Sequence, residues 1–238
     1  MRLLLVHGFA QTPASWDGVR RGLDERGVRD VVAVEIPRRE TFTATAAALA
    51  VHGPGVWCGY SMGGRLVQRL VVEQPALAHA VVLVSTTAGL RTAAERTERV
   101  AADEALAARA ESIGTARFLD EWLAQPLFAG VPTDAPGTDE RRTIAPATLA
   151  HDLRTLGTGT MEPLWDRLAA LTMPVTVVTG RHDDKFEAIG RALTAAIPGA
   201  RHEHLDGGHA LPAECPDALA AVLHATHSAA VRNAASTT

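Results

Sequence analysis

Short, unbroken aliphatic runs recur along this 238-residue chain, and stretches of helical periodicity separate them. The runs predict strands at 3–6, 31–35, 56–59, 80–85, 175–179 and 202–205. Most are continuously apolar rather than alternating, as expected of strands covered on both faces of a parallel sheet. The intervening segments predict helices at 16–26, 42–51, 62–73, 185–196 and 216–229. Strands that alternate with helices build a mostly parallel sheet with helices on both faces, so the expected fold class is α/β.

The alternation fails once. From about Gly89 to Leu171 there is no strand-like run, and the pattern predicts helices at 93–110, 115–124, 138–156 and 163–170. Pro126, Pro132, Pro136 and Pro146 punctuate the segment. No Gly/Ser/Pro linker flanks it. The expectation is a helical cap, 89–171, inserted between two strands of a core made of 1–88 and 172–238. The small polar residues after Ala229 are expected to fray.

The strongest local signal is Gly59-Tyr60-Ser61-Met62-Gly63-Gly64, placed between an apolar strand and a helix. A turn this tight needs small flanking residues, and it lifts the serine hydroxyl out at the strand's carboxyl end. That is the strand–turn–helix setting of a nucleophile elbow, with Ser61 at its apex. An activated serine needs a base, and the base needs an orienting acid. Asp183 follows the strand 175–179 and His209 follows the strand 202–205, so both fall where open α/β sheets place their sites. The order Ser61, Asp183, His209 matches that of this architecture. His182 has the right side chain for a base but lies beside the acid, on the other loop. Residue type alone does not decide between Asp183 and Asp184. Asp184 immediately precedes the helix 185–196 and suits an N-cap, which tilts the orienting role to Asp183. An oxyanion needs two backbone N–H donors. Met62, next after the serine, and Phe9, in the His7-Gly8-Phe9 loop after the first strand, are the expected donors. His7 itself is expected to hold structure by hydrogen bonding.

Together, the elbow, the His-Gly-Phe loop and the Asp and His loops resemble the α/β-hydrolase superfamily over nearly the whole chain. A narrower set is similar to the menaquinone-pathway 2-succinyl-6-hydroxy-2,4-cyclohexadiene-1-carboxylate synthase (MenH) family. It comprises Gly59 to Arg65, Ala88-Gly89-Leu90 with Ala94 to Arg99, Trp122, Gln125-Pro126-Leu127-Phe128, Leu156 to Gly159, Leu164-Trp165, and Asp183 with Lys185-Phe186. This resemblance implies an α/β-hydrolase fold; the superfamily's usual leading antiparallel hairpin is missing or nearly so here, which leaves an expected sheet of about six strands. It also implies a lyase in which Ser61 and His209 abstract a proton from a cyclohexene carboxylate and pyruvate leaves as its enol, without metal or organic cofactor. Family positions map substrate binding to Arg65, Arg99 and Arg141 (or its neighbour Arg142), with Tyr60, Trp122 and Phe128 lining the pocket. Arginine suits a substrate with several carboxylates, because its planar fork grips them bidentately. Glu95 and Arg99 also stand at the i,i+4 spacing of an ordinary surface pair. Ile36-Pro37 is followed by Arg38-Arg39-Glu40, where the family usually has Pro-Gly-His-Gly. The same triad equally serves a carboxylesterase, thioesterase or C–C hydrolase with Ser61 as nucleophile, including one in a secondary-metabolite pathway; a binding module that has kept the pocket is a further alternative, against which an intact triad argues.

Composition limits the partners. Lys and Arg number 23 against 27 Asp and Glu, a formal net charge of −4. No broad basic surface for nucleic acid or an anionic membrane is expected. A few arginines focused in one cavity still suffice for a small polyanion. No apolar run approaches the ~18–20 residues of a membrane span, and the run at 1–6 is too short for a signal peptide's apolar region. Cys58 and Cys215 lack metal-ligand spacing. A cytoplasmic protein acting on a small anionic molecule is the expectation. The only lysine, Lys185, and the only tyrosine, Tyr60, fall on the two loops that carry the proposed acid and nucleophile.

Overall fold

The computed structural model describes residues 1–236. Six strands, β1 (Leu3–Val6), β2 (Val31–Val34), β3 (Gly55–Tyr60), β4 (Ala78–Val84), β5 (Val175–Gly180) and β6 (Arg201–Leu205), form one sheet in the order β2-β1-β3-β4-β5-β6. Every pairing is parallel. Leu3 of β1 faces Val31 on one side and Val56 on the other. The chain therefore leaves β1 toward one edge and returns on its far side. This reversal opens a crevice between the carboxyl ends of β1 and β3, where α/β sheets bind ligands.

Both faces of the sheet are covered, which is why its central strands lack alternation. Leu3 and Leu5 pack with Val19 and Leu23 of α1 (Asp17–Glu25) and with Leu219 and Leu223 of α10 (Pro216–Ala235). Leu4 and Val6 face the other way, onto α2 (Phe42–Ala48), α3 (Met62–Glu73) and α8 (Asp184–Ala196) through Phe42, Leu66, Leu70 and Leu193. All four residues of β1 are fully buried. A one-residue slip would exchange the two faces and their partners. The edge strand β6 differs: its Arg201, Glu203 and flanking residues are exposed or half-buried.

Between β4 and β5 lie α4 (Ala93–Ile113), α5 (Thr115–Leu123), α6 (Thr138–Arg142) and α7 (Pro146–Leu156). Helix α4 packs on α7, and Ala107, Ala110, Phe118, Leu119, Leu149 and Leu153 form a separate apolar cluster that Phe9 and Ala10 join from the loop after β1. Several expected boundaries shift. The single helix expected at 138–156 is two, because Pro146 lacks an N–H and holds Ala145 extended at φ −62°, ψ 139°. The helix expected at 163–170 is a 3₁₀ segment, Trp165–Ala170. Helix α10 does not fray at Ala229 but continues to Ala235. Alanine is the best helix former, and Ala230 is buried against the sheet. No helix among the described residues is long and apolar enough to cross a membrane.

Candidate active site

Ser61 links β3 to α3 with φ 51° and ψ −111°. A positive φ on a non-glycine residue is strained, and the surroundings over-determine it. The Ser61 N–H donates to the Val84 carbonyl at 2.9 Å. The Ser61 carbonyl accepts from the Thr86 hydroxyl at 2.8 Å. Glycine is required on both sides. A Cβ on Gly59 would lie 2.5 Å from the Gly63 carbonyl oxygen, and one on Gly63 would lie 2.5 Å from the His7 carbonyl oxygen while also striking that of Val6. Backbone atoms cannot yield at such distances, so the Gly-x-Ser-x-Gly pattern reflects sterics.

The loops after β5 and β6 bring the other two residues in. His209 Nδ1 lies 2.9 Å from Asp183 Oδ2, and its Nε2 lies 3.4 Å from Ser61 Oγ. His209 and Asp183 are both buried. His182 instead pairs with Asp206 at 3.1 Å on the surface. The expected division of labour between the two aspartates needs correcting. Asp183, not Asp184, caps α8: its Oδ1 accepts the Phe186 N–H at 3.1 Å while Oδ2 faces His209. Asp184 is the exposed first residue of that helix. One carboxylate thus does both jobs, because a cap at this turn already points it across to the β6 loop.

One support of His209 was not read from the sequence. Glu214, at the end of the short helix α9 (Leu211–Glu214), reaches back to accept the Gly208 N–H at 2.6 Å and the Ala210 N–H at 2.8 Å. These are the amides on either side of His209. Phe186 lies with its ring 4.3 Å from the imidazole, and Tyr60 and Phe128 follow at 5.6 and 6.0 Å. Three aromatic rings therefore pack around the buried imidazole. Tyr60 is itself buried and its phenol pushed upward by burial, so it stays neutral.

Met62 opens α3, where N–H groups of the first turn have no partner within the helix. Phe9 leaves β1, half-buried, with its ring 5.0 Å from Trp122. Both residues border the same cavity as Ser61. His7 is fully buried, its Nδ1 is 2.8 Å from the Gly8 carbonyl oxygen, and burial lowers it to about 4, so the ring is neutral.

The cavity holds about 240 Å³ and is bordered by Ser61, His209 and the residues that the family resemblance maps to substrate binding: Tyr60, Arg65, Arg99, Trp122, Phe128 and Arg141. Arg65 is buried, and burial, then the charge of Arg99, lowers it to about 9. Its Nη1 has no hydrogen-bond partner among the described residues. Arg141 is buried too, with Nε donating to the Ala10 carbonyl at 3.0 Å. Arg142 pairs with Asp120 at 2.7 Å on the surface, so of the two neighbours it is Arg141 that reaches the cavity. Arg99 pairs with Asp103 at 2.8 Å, not with Glu95. Glu95 is taken by the capping box of α4, where it bonds Thr92. Lys185 also borders the cavity. The two acids that join it are both raised by burial: Asp103, opposed by Arg99, and Asp152, opposed by its bonds from Arg38. Arg38 of the divergent Arg38-Arg39-Glu40 loop grips Asp152 bidentately at 2.8 and 3.0 Å. The altered loop therefore neutralises an acid that the cavity would otherwise present to an anion.

A family model described as the alpha/beta hydrolase family matches residues 3–222. The chain is 33% identical over 231 residues to the 2-succinyl-6-hydroxy-2,4-cyclohexadiene-1-carboxylate synthase of Serratia proteamaculans (strain 568), covering 89% of this chain and 90% of that protein. It is 36% identical over 166 residues to a Bacillus subtilis (strain 168) protein that carries the same name provisionally. That alignment spans 66% of this chain and 60% of the relative's length. Among solved structures, MenH from S. aureus superposes with a TM-score of 0.82 at 22% identity, covering 96% of this chain and 94% of the other.

Proposed function

The chain belongs to the alpha/beta hydrolase family, and on that premise we propose that it is a carbon–oxygen lyase of the 2-succinyl-6-hydroxy-2,4-cyclohexadiene-1-carboxylate synthase type. The observation that carries this reading is that Arg65, Arg99 and Arg141 border one cavity with Ser61 and His209. An ester pocket has no use for several cations, one of them buried without a hydrogen-bond partner on Nη1. A ring bearing several carboxylates does.

In this reading His209 Nε2 takes the Ser61 proton, and Asp183 holds the imidazole in the tautomer that permits it. Ser61 oxygen removes a proton from the ring carbon. The electron pair of that C–H bond moves into the ring and breaks the bond to the enolpyruvyl oxygen. The leaving enolate takes the proton from His209 and becomes the enol of pyruvate, so charge and protons balance. As the C–H bond breaks, part of its electron pair delocalises onto the oxygen of the succinyl carbonyl beside the ring carbon before it returns to expel the enolpyruvyl oxygen, and the Met62 and Phe9 amides would hold that oxyanion. Residues 89–171 act as a cap over the core of 1–88 and 172–238. The reaction needs no metal or organic cofactor, and the protein acts in the cytoplasm on a small anionic substrate, with neither nucleic acid nor membrane as partner.

Product analysis tests this. The enolpyruvyl pathway intermediate should yield pyruvate, read by coupling to lactate dehydrogenase, and Ser61→Ala should abolish the release. No pyruvate alongside rapid hydrolysis of simple esters would identify a serine hydrolase instead. A Ser61→Ala variant that retained the protein's biochemical role would point to a binding module.

A further inference from the structure

On the far side of α8 from the cavity, a second group of chemically competent side chains converges. His202 and His204 are two apart on the edge strand β6 and so share a face of the sheet. Glu187 of α8 meets them there, its Oε2 3.0 Å from His204 Nδ1 and 3.8 Å from His202 Nε2. The ligand atoms of the three all lie within 4.8 Å of one another. The Thr179 hydroxyl, at the end of β5, donates to Glu187 Oε2 at 2.6 Å and lies 2.7 Å from His202 Nε2. The approach of helix to strand depends on Gly190. A Cβ there would lie 2.8 Å from His202 Nε2 and 2.6 Å from the Thr179 methyl.

We propose that Glu187, His202 and His204 form a binding site for one divalent transition-metal ion of the zinc class. Zinc holds nitrogen and oxygen ligands at about 2.0–2.2 Å, which places the ligand atoms of one site about 3–4 Å apart. The spacings of Glu187 Oε2 from the two imidazole nitrogens fall in that range. Two imidazoles and a carboxylate select zinc, nickel, cobalt or copper over calcium and magnesium, which take all-oxygen sets. The buried Thr179 hydroxyl stands within 2.6–2.7 Å of two of these ligand atoms, next to where the ion would sit.

The ion would displace the hydrogens that Thr179, Glu187 and the two imidazoles share. Arg191 takes the other carboxylate oxygen, Oε1, at 2.9 Å and so orients Oε2 toward the histidines. Such outer partners set the geometry of metal ligands. The imidazole rings stand 4.1 Å apart, close enough for one ion to bridge them.

The ion would clamp β5, α8 and β6 together. Glu187 is one helical turn past Asp183, whose carbonyl accepts its N–H at 2.8 Å. The site thus braces the two loops that deliver Asp183 and His209, while lying outside the cavity lining.

The test is titration of the chelator-stripped full chain with Zn²⁺ by calorimetry in a non-coordinating buffer, with Co²⁺ absorption as the ligand reporter. The expected result is one saturable equivalent, a raised melting temperature, and Co²⁺ bands of imidazole ligation. His204→Gln and Glu187→Gln should each weaken binding by at least about tenfold. His204 is a third exposed, so the melting curve of each metal-free variant is recorded beside its Zn²⁺ titration to separate lost binding from lost fold. His182→Gln, a surface control, should bind like the parent. Absence of saturable Zn²⁺ binding, or binding that survives a His202→Gln/His204→Gln double variant, would overturn the proposal.

Discussion

Replacing Arg65 by methionine should stabilise the protein while weakening its hold on substrate. Arg65 lies on the first turn of α3, buried, and its charge is disfavoured there: burial, then Arg99, brings it from 12.5 to about 9, with Asp103 partly offsetting. Because the folded-state value lies below the unfolded one, the folded chain resists protonation, and the full penalty is present at pH 7. At 1.36 kcal/mol per tenfold, that penalty is roughly 4–5 kcal/mol. The Phe42 ring, 5.6 Å from the guanidinium carbon, returns about 1 kcal/mol through its face. Methionine keeps the aliphatic volume, so Arg65→Met should gain about 1–4 kcal/mol, as replacement of buried charges by apolar side chains commonly does. The sign carries a signature. Wild-type stability rises as pH climbs from about 9 toward 12.5, so the gap between variant and parent, read by urea denaturation, should narrow between pH 8 and 10. Loss of one charge-assisted bond to a substrate carboxylate, about 1.5–3 kcal/mol, should lower kcat/KM for pyruvate release by about 10- to 150-fold, mostly through KM. A variant less stable than the parent, or one with unchanged KM, would refute the view of Arg65 as a strained, ligand-directed cation.

Three further substitutions separate other roles. Asp183→Asn keeps a good N-cap for α8, so the melting temperature should barely move while pyruvate release drops by about 10³–10⁴-fold, as expected when the imidazole tautomer is lost; parallel losses of fold and rate would contradict this division. Glu214→Gln leaves one of the Gly208 and Ala210 amides without an acceptor, which should lower stability by about 1–3 kcal/mol and reduce kcat more than KM. Unchanged kcat would show that the His209 loop holds its place unaided. His7 is neutral in the fold, lowered to about 4 by burial, against about 6.5 when unfolded. The unfolded chain therefore binds the extra proton first, and about 3 kcal/mol of stability should be lost as pH falls from 6.5 to 4. His7→Gln should flatten that slope in acid urea melts, and a slope identical to the parent's would remove His7 as its source.

Much of this protein was legible in the sequence wherever its cause is local. The continuous apolar runs announce strands covered on both faces because Leu3 to Val6 must satisfy two layers at once. The elbow announces itself because Gly59 and Gly63 meet backbone within a few residues and at β1, where no side chain fits. The chain order of Ser61, Asp183 and His209 follows from strand ends, which periodicity locates. Where several partners satisfy the same short-range rule, the sequence left a choice open. The capping carboxylate is Asp183 rather than Asp184, and Glu95 belongs to the Thr92 capping box rather than to Arg99. Glu214 folds back on the His209 loop from a helix only a few residues on, where no short-range rule marks it. Pairings between distant positions left no local trace: Arg38 on Asp152, and Glu187 against His202 and His204, are set by how separate elements pack. Sequence alone determined the architecture and brought out Ser61, Asp183 and His209, which the fold places together, because tight turns and buried strands restrict composition on the spot. Tertiary structure alone decided which charges are matched, which are left without a partner, and where Glu187, His202 and His204 meet, because electrostatic pairing depends on distances that no local pattern encodes.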